Sequence, residues 1–140
     1  MIFSRILAVI VAVGITFPTF ASAAEPVPDL SGGGWSGQWI SDKNGHHGPL
    51  RATFRKVSDS SYRVTFTGRF WKLIPFIYSV NLNATPTDSG VILLTGSTAL
   101  GPVMGTFRYD GHATATHFEA RFTSKNDCGK FVLDRCGCGN

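Results

Sequence analysis

Two short runs decide the fold of this chain, LRATFR at residues 50–55 and YRVTFTGRF at residues 62–70. Apolar and polar side chains alternate through most of both runs. Because successive side chains of a β-strand point to opposite faces, each run has one apolar face and one face rich in arginine and threonine. A short polar turn separates the two runs, which is typical of a β-hairpin. This stretch predicts two antiparallel neighbours with one face in a core.

The same cadence of alternating run and turn occurs eight times between Trp35 and Arg135. Eight strands allow a meandering sheet to close around side chains or one small ligand. The sequence therefore predicts an all-β fold, an eight-stranded antiparallel up-and-down β-barrel, with no helix of useful length after residue 23. We expect strands at residues 35–42, 49–57, 62–70, 75–85, 91–99, 103–109, 117–124 and 130–135.

A membrane-spanning barrel would share this alternation but would point its apolar face outward. Two features favour a barrel with an apolar interior instead. The chain ends in a polar tail at residues 137–140, not in an aromatic strand. Four of the eight expected strands also fall a little short of the ~9–11 residues that a tilted membrane strand needs.

The first 23 residues have the features of an export signal. Arg5 precedes an apolar run at residues 6–17, and Ala21-Ser22-Ala23 matches a cleavage motif. The apolar run is shorter than the ~20 residues that a membrane-spanning helix needs. We expect a mature chain that begins at residue 24 and is periplasmic or extracellular. Residues 24–34 would be a flexible lead-in, 35–136 the barrel and 137–140 a tail.

Short motifs mark both ends of the expected barrel. Gly37-Gln38-Trp39 opens the first strand and FVLDR, at residues 131–135, closes the last. This resembles the calycin pattern of lipocalins, fatty-acid-binding proteins and avidins, in which a basic residue packs across the indole of a Gly-x-Trp motif. The resemblance implies that Trp35, Trp39 and Arg135 form the closure of the barrel. We expect the Arg135 guanidinium near the Trp39 indole, a contact of ~0.5–2 kcal/mol.

The connections of a meander alternate between its two ends. The loops at 43–48, 71–74, 100–102 and 125–129 therefore share the rim opposite the closure residues, which in calycins is the mouth. We expect a small apolar or amphipathic ligand to enter past Trp71 and to contact aromatic walls with tyrosines as polar groups. The expected ligand-binding residues are Tyr62, Phe66, Phe70, Trp71, Phe76, Tyr78 and Tyr109.

A rival hypothesis assigns function to the outside of a solid barrel, because many inward Phe and Tyr side chains could fill the interior. Four arginines share the polar face of the second and third strands: Arg51, Arg55, Arg63 and Arg69. With the Trp71 loop they would form an interaction surface for a polyanion or a membrane. The net charge is only +4, so any such attraction is local. The alternative is a solvated face screened by Asp59 and salt.

No residue pattern in the chain predicts catalysis. Gly32-Gly33-Gly34 precedes a strand, so it lacks the helix N-terminus that binds phosphate. The adjacent His46 and His47 are poorly placed to share a metal ion. A second His/Cys set, His112 and His117 with Cys136 and Cys138, is equally unconvincing. We expect no enzyme activity, no metal or cofactor, and no specific nucleic-acid partner.

An exported chain with three cysteines leaves one unpaired. Cys128 and Cys136 would lie about 26 Å apart along an unbroken strand at ~3.3 Å per residue, too far for a disulfide. Cys136 and Cys138 can close only a tight ring. A strained local disulfide, free thiols and a bridge to another chain all remain open.

Overall fold

The computed structural model describes residues 14–71 and 73–137. It is a closed barrel of eight strands in meander order, in which every neighbouring pair is antiparallel and the first strand pairs with the last. The predicted eight-stranded antiparallel barrel is confirmed. The strands are β1 (Trp35–Ser41), β2 (His47–Ser58), β3 (Ser61–Phe70), β4 (Ile74–Pro86), β5 (Ile92–Ala99), β6 (Thr106–Ala113), β7 (His117–Thr123) and β8 (Cys128–Arg135).

The largest departure from the expected strands lies before β6. Gly101–Met104 forms a four-residue helix, α1, where a strand was expected from residue 103. Pro102 suits its first turn because proline has no N–H to bond and a backbone φ close to the helical value. Gly105 ends it with φ of 71°, which favours glycine. Among the described residues, no helix is long and apolar enough to cross a membrane.

The apolar face of the strands lies inside the barrel. On β2, Ala52 and Phe54 are buried, whereas the alternating Arg51 and Arg55 are exposed. The other strands follow the same alternation, and one cluster of buried apolar residues fills much of the interior. This is the reverse of the arrangement that a membrane-spanning barrel needs.

One end of the barrel is plugged by residues that precede β1. Leu30 is completely buried. Trp35 Nε1 donates to the Leu30 carbonyl at 3.1 Å, and the Leu30 N–H donates to the Tyr62 hydroxyl at 3.3 Å. The segment expected to be a flexible lead-in therefore packs into the core at Leu30. The sequence hid this contact because a single leucine among Pro and Gly residues has no periodicity.

Arg135 closes the same end. Its Cζ lies 5.1 Å from the centroid of the Trp35 ring. Its Nη1 donates to the Ala115 carbonyl at 3.1 Å, and its Nη2 donates to the carbonyls of Asp29 at 2.9 Å, Ser31 at 2.7 Å and Gly32 at 3.1 Å. One side chain thus ties the lead-in, the β6–β7 turn and the first strand together.

Trp39 does not take part in this closure. In the register of β1 with β8, Arg135 is opposite Trp35, while Trp39 is opposite Phe131. The two tryptophans are four positions apart on β1, about 13 Å at ~3.3 Å per residue. The expected contact between Arg135 and Trp39 is therefore corrected to a contact with Trp35. Trp39 belongs to the opposite half of the barrel.

Candidate ligand-binding site

The end of the barrel opposite Arg135 is an open cup. Its volume is about 620 Å³, within the ~300–1,000 Å³ of typical small-molecule sites. Residues from the four connections that follow β1, β3, β5 and β7 lie around it, which is the rim expected from the meander. The cup and the plugged end therefore occupy opposite ends of one barrel.

One wall of the cup is a continuous row of aromatic rings. Trp39 contacts Phe70 at a centroid distance of 5.3 Å, and Phe70 contacts Phe76 at 4.6 Å. Phe76 in turn stacks with Tyr78 at 6.0 Å. Trp39 Nε1 donates to the Arg69 carbonyl at 3.0 Å, which fixes the orientation of the indole. These rings come from β1, β3 and β4 and offer a rigid apolar surface.

A second wall comes from β6, β7 and β8. Phe107 stacks on Phe122 at 5.8 Å, and Phe122 contacts Phe131 at 5.1 Å. Leu100 and Met104 extend this wall at the helical turn α1. None of these five residues was among the expected ligand contacts. Alternation placed the three phenylalanines on the inner face, but only the register of the strands shows which of them border the cup.

A pair of tyrosines lies at the floor of the cup, where Tyr78 lines the cavity and Tyr109 is buried beneath it. The hydroxyls of Tyr78 and Tyr109 lie 2.6 Å apart and share a hydrogen bond. Phe66 packs against both rings, at 5.6 Å from Tyr78 and 6.0 Å from Tyr109. Burial raises the pKa of both hydroxyls well above the usual tyrosine value, and the bond from Tyr109 offsets part of this rise for Tyr78. The floor therefore holds two neutral phenols.

Polar residues at the rim hold its loops in place. Ser41 is buried, and its hydroxyl donates to the Asp127 carboxylate at 2.6 Å. The same carboxylate accepts the Cys128 N–H at 2.8 Å. On the neighbouring turn, the Asn44 side chain accepts the His46 N–H at 2.9 Å. These groups are occupied in shaping the mouth.

Large apolar side chains surround the entrance on its outer side. Trp71 is 69% exposed, and Leu73, Ile77 and Val103 are exposed even further. Trp71 has a φ of 49°, a left-handed conformation that is uncommon for a bulky residue. The turn that contains it is closed by a hydrogen bond from the Leu73 N–H to the Phe70 carbonyl at 3.1 Å. This turn places the Trp71 ring at the mouth of the cup.

The seven expected ligand contacts fall into three groups. Four line the cup, namely Phe70, Trp71, Phe76 and Tyr78. Phe66 and Tyr109 are buried beneath it. Tyr62 lies at the plugged end, where its hydroxyl donates to the Asp29 carboxylate at 3.4 Å, so it is not a cup residue.

The four arginines of the outer stripe all lie exposed on β2 and β3. Arg55 is directly opposite Arg63, next to the pair of Phe54 with Val64. Among the described residues none of the four forms an ion pair, and Asp59 lies 3.7 Å from the Lys56 ammonium instead. Asp59 was expected to screen the charge of the arginine stripe, but its ion-pair partner is Lys56.

The histidines and cysteines are scattered over the surface. His117 Nδ1 lies 2.7 Å from Asp134, and its Nε2 lies 3.6 Å from Glu119. Within residues 14–71 and 73–137, no group of three or more His, Cys, Asp or Glu side chains has a metal-binding arrangement. Cys128 and Cys136 are exposed at opposite ends of β8 and are not bonded to each other. Cys138 lies outside the described residues.

A scan against models of protein families matches none of them, and a search of curated proteins also finds no match. A search of solved structures finds a protein described as the de novo design of a fluorescence-activating beta barrel. The two chains are 15% identical, the alignment covers 84% of this chain and 100% of that chain, and the TM-score is 0.53. Such a likeness shows the barrel fold alone. The architecture is also consistent with a calycin-like barrel.

Proposed function

We propose that this chain is an exported, non-enzymatic barrel that binds a small apolar or amphipathic ligand in the cup. The observation that carries the proposal is the aromatic-walled cavity of about 620 Å³ at one end of a barrel whose other end is filled. Burying apolar ligand surface there is favourable by roughly 25 cal/mol per Å². The solved barrel of similar fold is described as fluorescence-activating, which supports a small-molecule role for a cup of this kind.

The proposed function involves no reaction. The Ser41 hydroxyl and the Asp127 carboxylate are the closest pair at the rim that resembles a nucleophile with its base. Asp127 also accepts a backbone N–H, so this pair fastens β1 to the β7–β8 turn. The phenols on the floor have raised pKa values, which suits hydrogen bonding better than proton transfer near neutral pH.

Export is part of the proposal because of the signal pattern at residues 1–23. Of this segment, residues 1–13 lie outside the described residues. Ala21, Ser22 and Ala23 are exposed and have no regular secondary structure. A peptidase can therefore reach the expected cleavage point without disturbing Leu30, which anchors the following segment in the barrel.

Titration of the purified protein with N-phenyl-1-naphthylamine, a neutral apolar dye, tests the binding proposal. We expect saturable binding that is weakened at least about tenfold by Met104→Trp, since Met104 lines the cup and a larger ring would occupy it. Val103→Trp is the matched control, because Val103 is the adjacent residue and is 78% exposed. Equal affinity of the two variants would contradict binding inside the cup.

We infer a second candidate function, binding of a polyanion by the outer face. Arg55 and Arg63 are cross-strand neighbours there, and neither has a carboxylate partner among the described residues. Like charges directly across a pair of strands are unfavourable, and a bound polyanion would relieve them. Retention of the wild-type protein on heparin should therefore fall steeply with salt.

The double variant Arg55→Glu and Arg63→Glu should elute from heparin at much lower salt than wild type. The control is the double variant Arg108→Glu and Arg121→Glu. It changes the net charge by the same amount at two exposed residues on other strands. Equal loss of retention in both double variants would indicate net charge alone and would reject the stripe.

A further inference from the structure

We propose that the ligand presents a neutral hydrogen-bond acceptor, such as a ketone, quinone or ester carbonyl, to the floor of the cup, and that Tyr78 donates to it. This inference rests on the proposed function, because it assigns the chemistry of the molecule that the cup holds. The cup would thus select flat, apolar, carbonyl-bearing molecules over plain hydrocarbons and over carboxylates.

Tyr78 and Tyr109 together carry two O–H protons at the floor of the cup. Each phenol carries one O–H donor and can also accept. The two hydroxyls, 2.6 Å apart, share one hydrogen bond, which uses one of the two protons. Neither hydroxyl has another hydrogen-bond partner among the described residues. One O–H of the pair is therefore left to donate elsewhere.

The surroundings of the two rings indicate which hydroxyl has the spare proton. Tyr109 is only 4% exposed, and Phe66, Phe107 and Phe131 pack around its ring. Tyr78 is half-buried and lines the cup. A Tyr109 proton aimed away from Tyr78 would meet apolar rings, so Tyr109 donates to Tyr78. The Tyr78 proton then faces the cup, and the bond from Tyr109 polarises it into a stronger donor.

The charges around the cup argue for a neutral acceptor. Among the described residues that line it, the ionisable side chains near the mouth are Asp127 and His46, and no lysine or arginine contributes. A carboxylate carried down to the floor would lose its water without gaining a cation, which is unfavourable in an apolar site. A carbonyl needs only one donor there, and Tyr78 supplies one.

The experiment compares two probes of nearly the same shape, 2-acetylnaphthalene and 2-ethylnaphthalene, by displacement of N-phenyl-1-naphthylamine. The measured quantity is the affinity ratio of the ketone to the hydrocarbon, compared between wild type and Tyr78→Phe so that the different water solubilities cancel. We expect this ratio to fall about tenfold in Tyr78→Phe, the size of one lost hydrogen bond. In Tyr109→Phe it should fall less, because Tyr78 still donates.

Tyr62→Phe is the matched control, since it removes the same atom at the plugged end and should leave the ratio unchanged. The carbonyl stretch of bound 2-acetylnaphthalene gives a second readout. Its infrared band should lie at lower frequency in wild type than in Tyr78→Phe.

Three results separate the possible failures. If both probes lose affinity equally in Tyr78→Phe, the hydroxyl only packs and the inference is overturned. If 2-naphthoate binds wild type more tightly than the ketone and loses most in Tyr78→Phe, the acceptor is anionic and the neutral class is overturned. If 2-ethylnaphthalene does not bind at all, the proposed function itself fails, and the inference fails with it.

Discussion

Two tryptophans on the same inner face of β1 mark two different ends of this barrel. Trp35 and Trp39 are both largely buried, and each indole N–H donates to a backbone carbonyl. Trp35 is covered by Leu30 from the preceding segment and by the Arg135 guanidinium from the last strand. Trp39 has no such cover and borders the cup. The strands alone therefore do not distinguish a filled end from an open one, and the difference comes from the segments outside them.

The two ends also differ in what their aromatic rings contact. At the plugged end, Phe54 lies between Trp35, Tyr62 and Phe118, and all four rings are almost completely buried. At the open end, Phe70 and Phe76 contact each other but remain partly accessible to solvent. We infer that the first set mainly stabilises the fold and that the second set mainly serves binding. Variants at the two ends test this division.

The largest expected effect is that of removing the plug. Leu30→Ala deletes a fully buried side chain and should lower the free energy of unfolding by about 2–5 kcal/mol, because a cavity remains where the leucine packed. Urea titration followed by circular dichroism measures this change. Leu73→Ala is the control at the open end, where the side chain is 84% exposed, and should change stability by less than about 0.5 kcal/mol.

Dye binding distinguishes the plug from the cup in the same variants. Below the melting temperature, Leu30→Ala should bind N-phenyl-1-naphthylamine as wild type does. If Leu30→Ala lowers the free energy of unfolding by less than about 1 kcal/mol, the Leu30 side chain is not packed in the core in solution.

The next effect in size concerns the closure by Arg135. Arg135→Ala removes the stacking on Trp35 and leaves four backbone carbonyls without their donor, which should cost about 1–3 kcal/mol. Arg135→Lys should recover part of this, since a lysine keeps the charge but not the planar fork of donors. Thermal and urea unfolding measure both changes.

Arg63→Ala is the matched control for Arg135, since it removes an exposed arginine that faces another arginine. We expect Arg63→Ala to be as stable as wild type. The dye affinity should be unchanged in Arg63→Ala, Arg135→Ala and Arg135→Lys. If Arg135→Ala keeps its stability but loses dye binding, the ligand binds at the Arg135 end of the barrel and not in the cup.

The sequence predicted the barrel well because its main signal is local. A period of two in side-chain polarity follows directly from strand geometry, and it identified the inner face of β2, β3 and β4 correctly. The position of a residue along the barrel axis is not local. Tyr62 and Tyr78 both point inward, but β3 starts at the plugged end and β4 starts at the mouth. Strand direction in a meander was the available signal that separates them.

Three features of the closure and of the cup could not be predicted from the sequence. The pairing of Trp35 with Arg135 depends on the register of β1 against β8, which alternation constrains only to every second residue. The helical turn Gly101–Met104 replaces the start of the strand expected from residue 103, and it brings Met104 to the cup. The spare proton of the Tyr78–Tyr109 pair follows only from the 2.6 Å distance between two hydroxyls on non-adjacent strands.

A comparable or smaller loss of stability is expected when the same change, tryptophan to phenylalanine, is made at both ends. Trp35→Phe leaves the buried Leu30 carbonyl without its donor and should cost about 1–3 kcal/mol with unchanged dye affinity. Trp39→Phe should cost less, since the Arg69 carbonyl is only partly buried and water can replace the indole. It should nevertheless change dye affinity, because Trp39 lines the cup. Equal effects of both variants on dye affinity would refute the division of the barrel into two ends.

The smallest expected effect is a pH dependence that belongs to the plugged end. The hydrogen bond to Asp134 raises the pKa of His117 above its usual value; burial partly opposes this rise, and Glu119 adds a lesser one. Because the folded-state pKa exceeds the unfolded one of ~6.5, the stabilisation is complete below that pH and is lost as the pH rises through the folded-state pKa. The residues are solvent-exposed, so the loss should be under about 1 kcal/mol and should shrink in salt. Urea unfolding at pH 5.5 and 8.5 should show that wild type loses more stability than His117→Gln, whereas His46→Gln should behave as wild type. A wild-type protein that gains stability relative to His117→Gln as the pH rises would reverse the sign and rule out this ion pair as the cause.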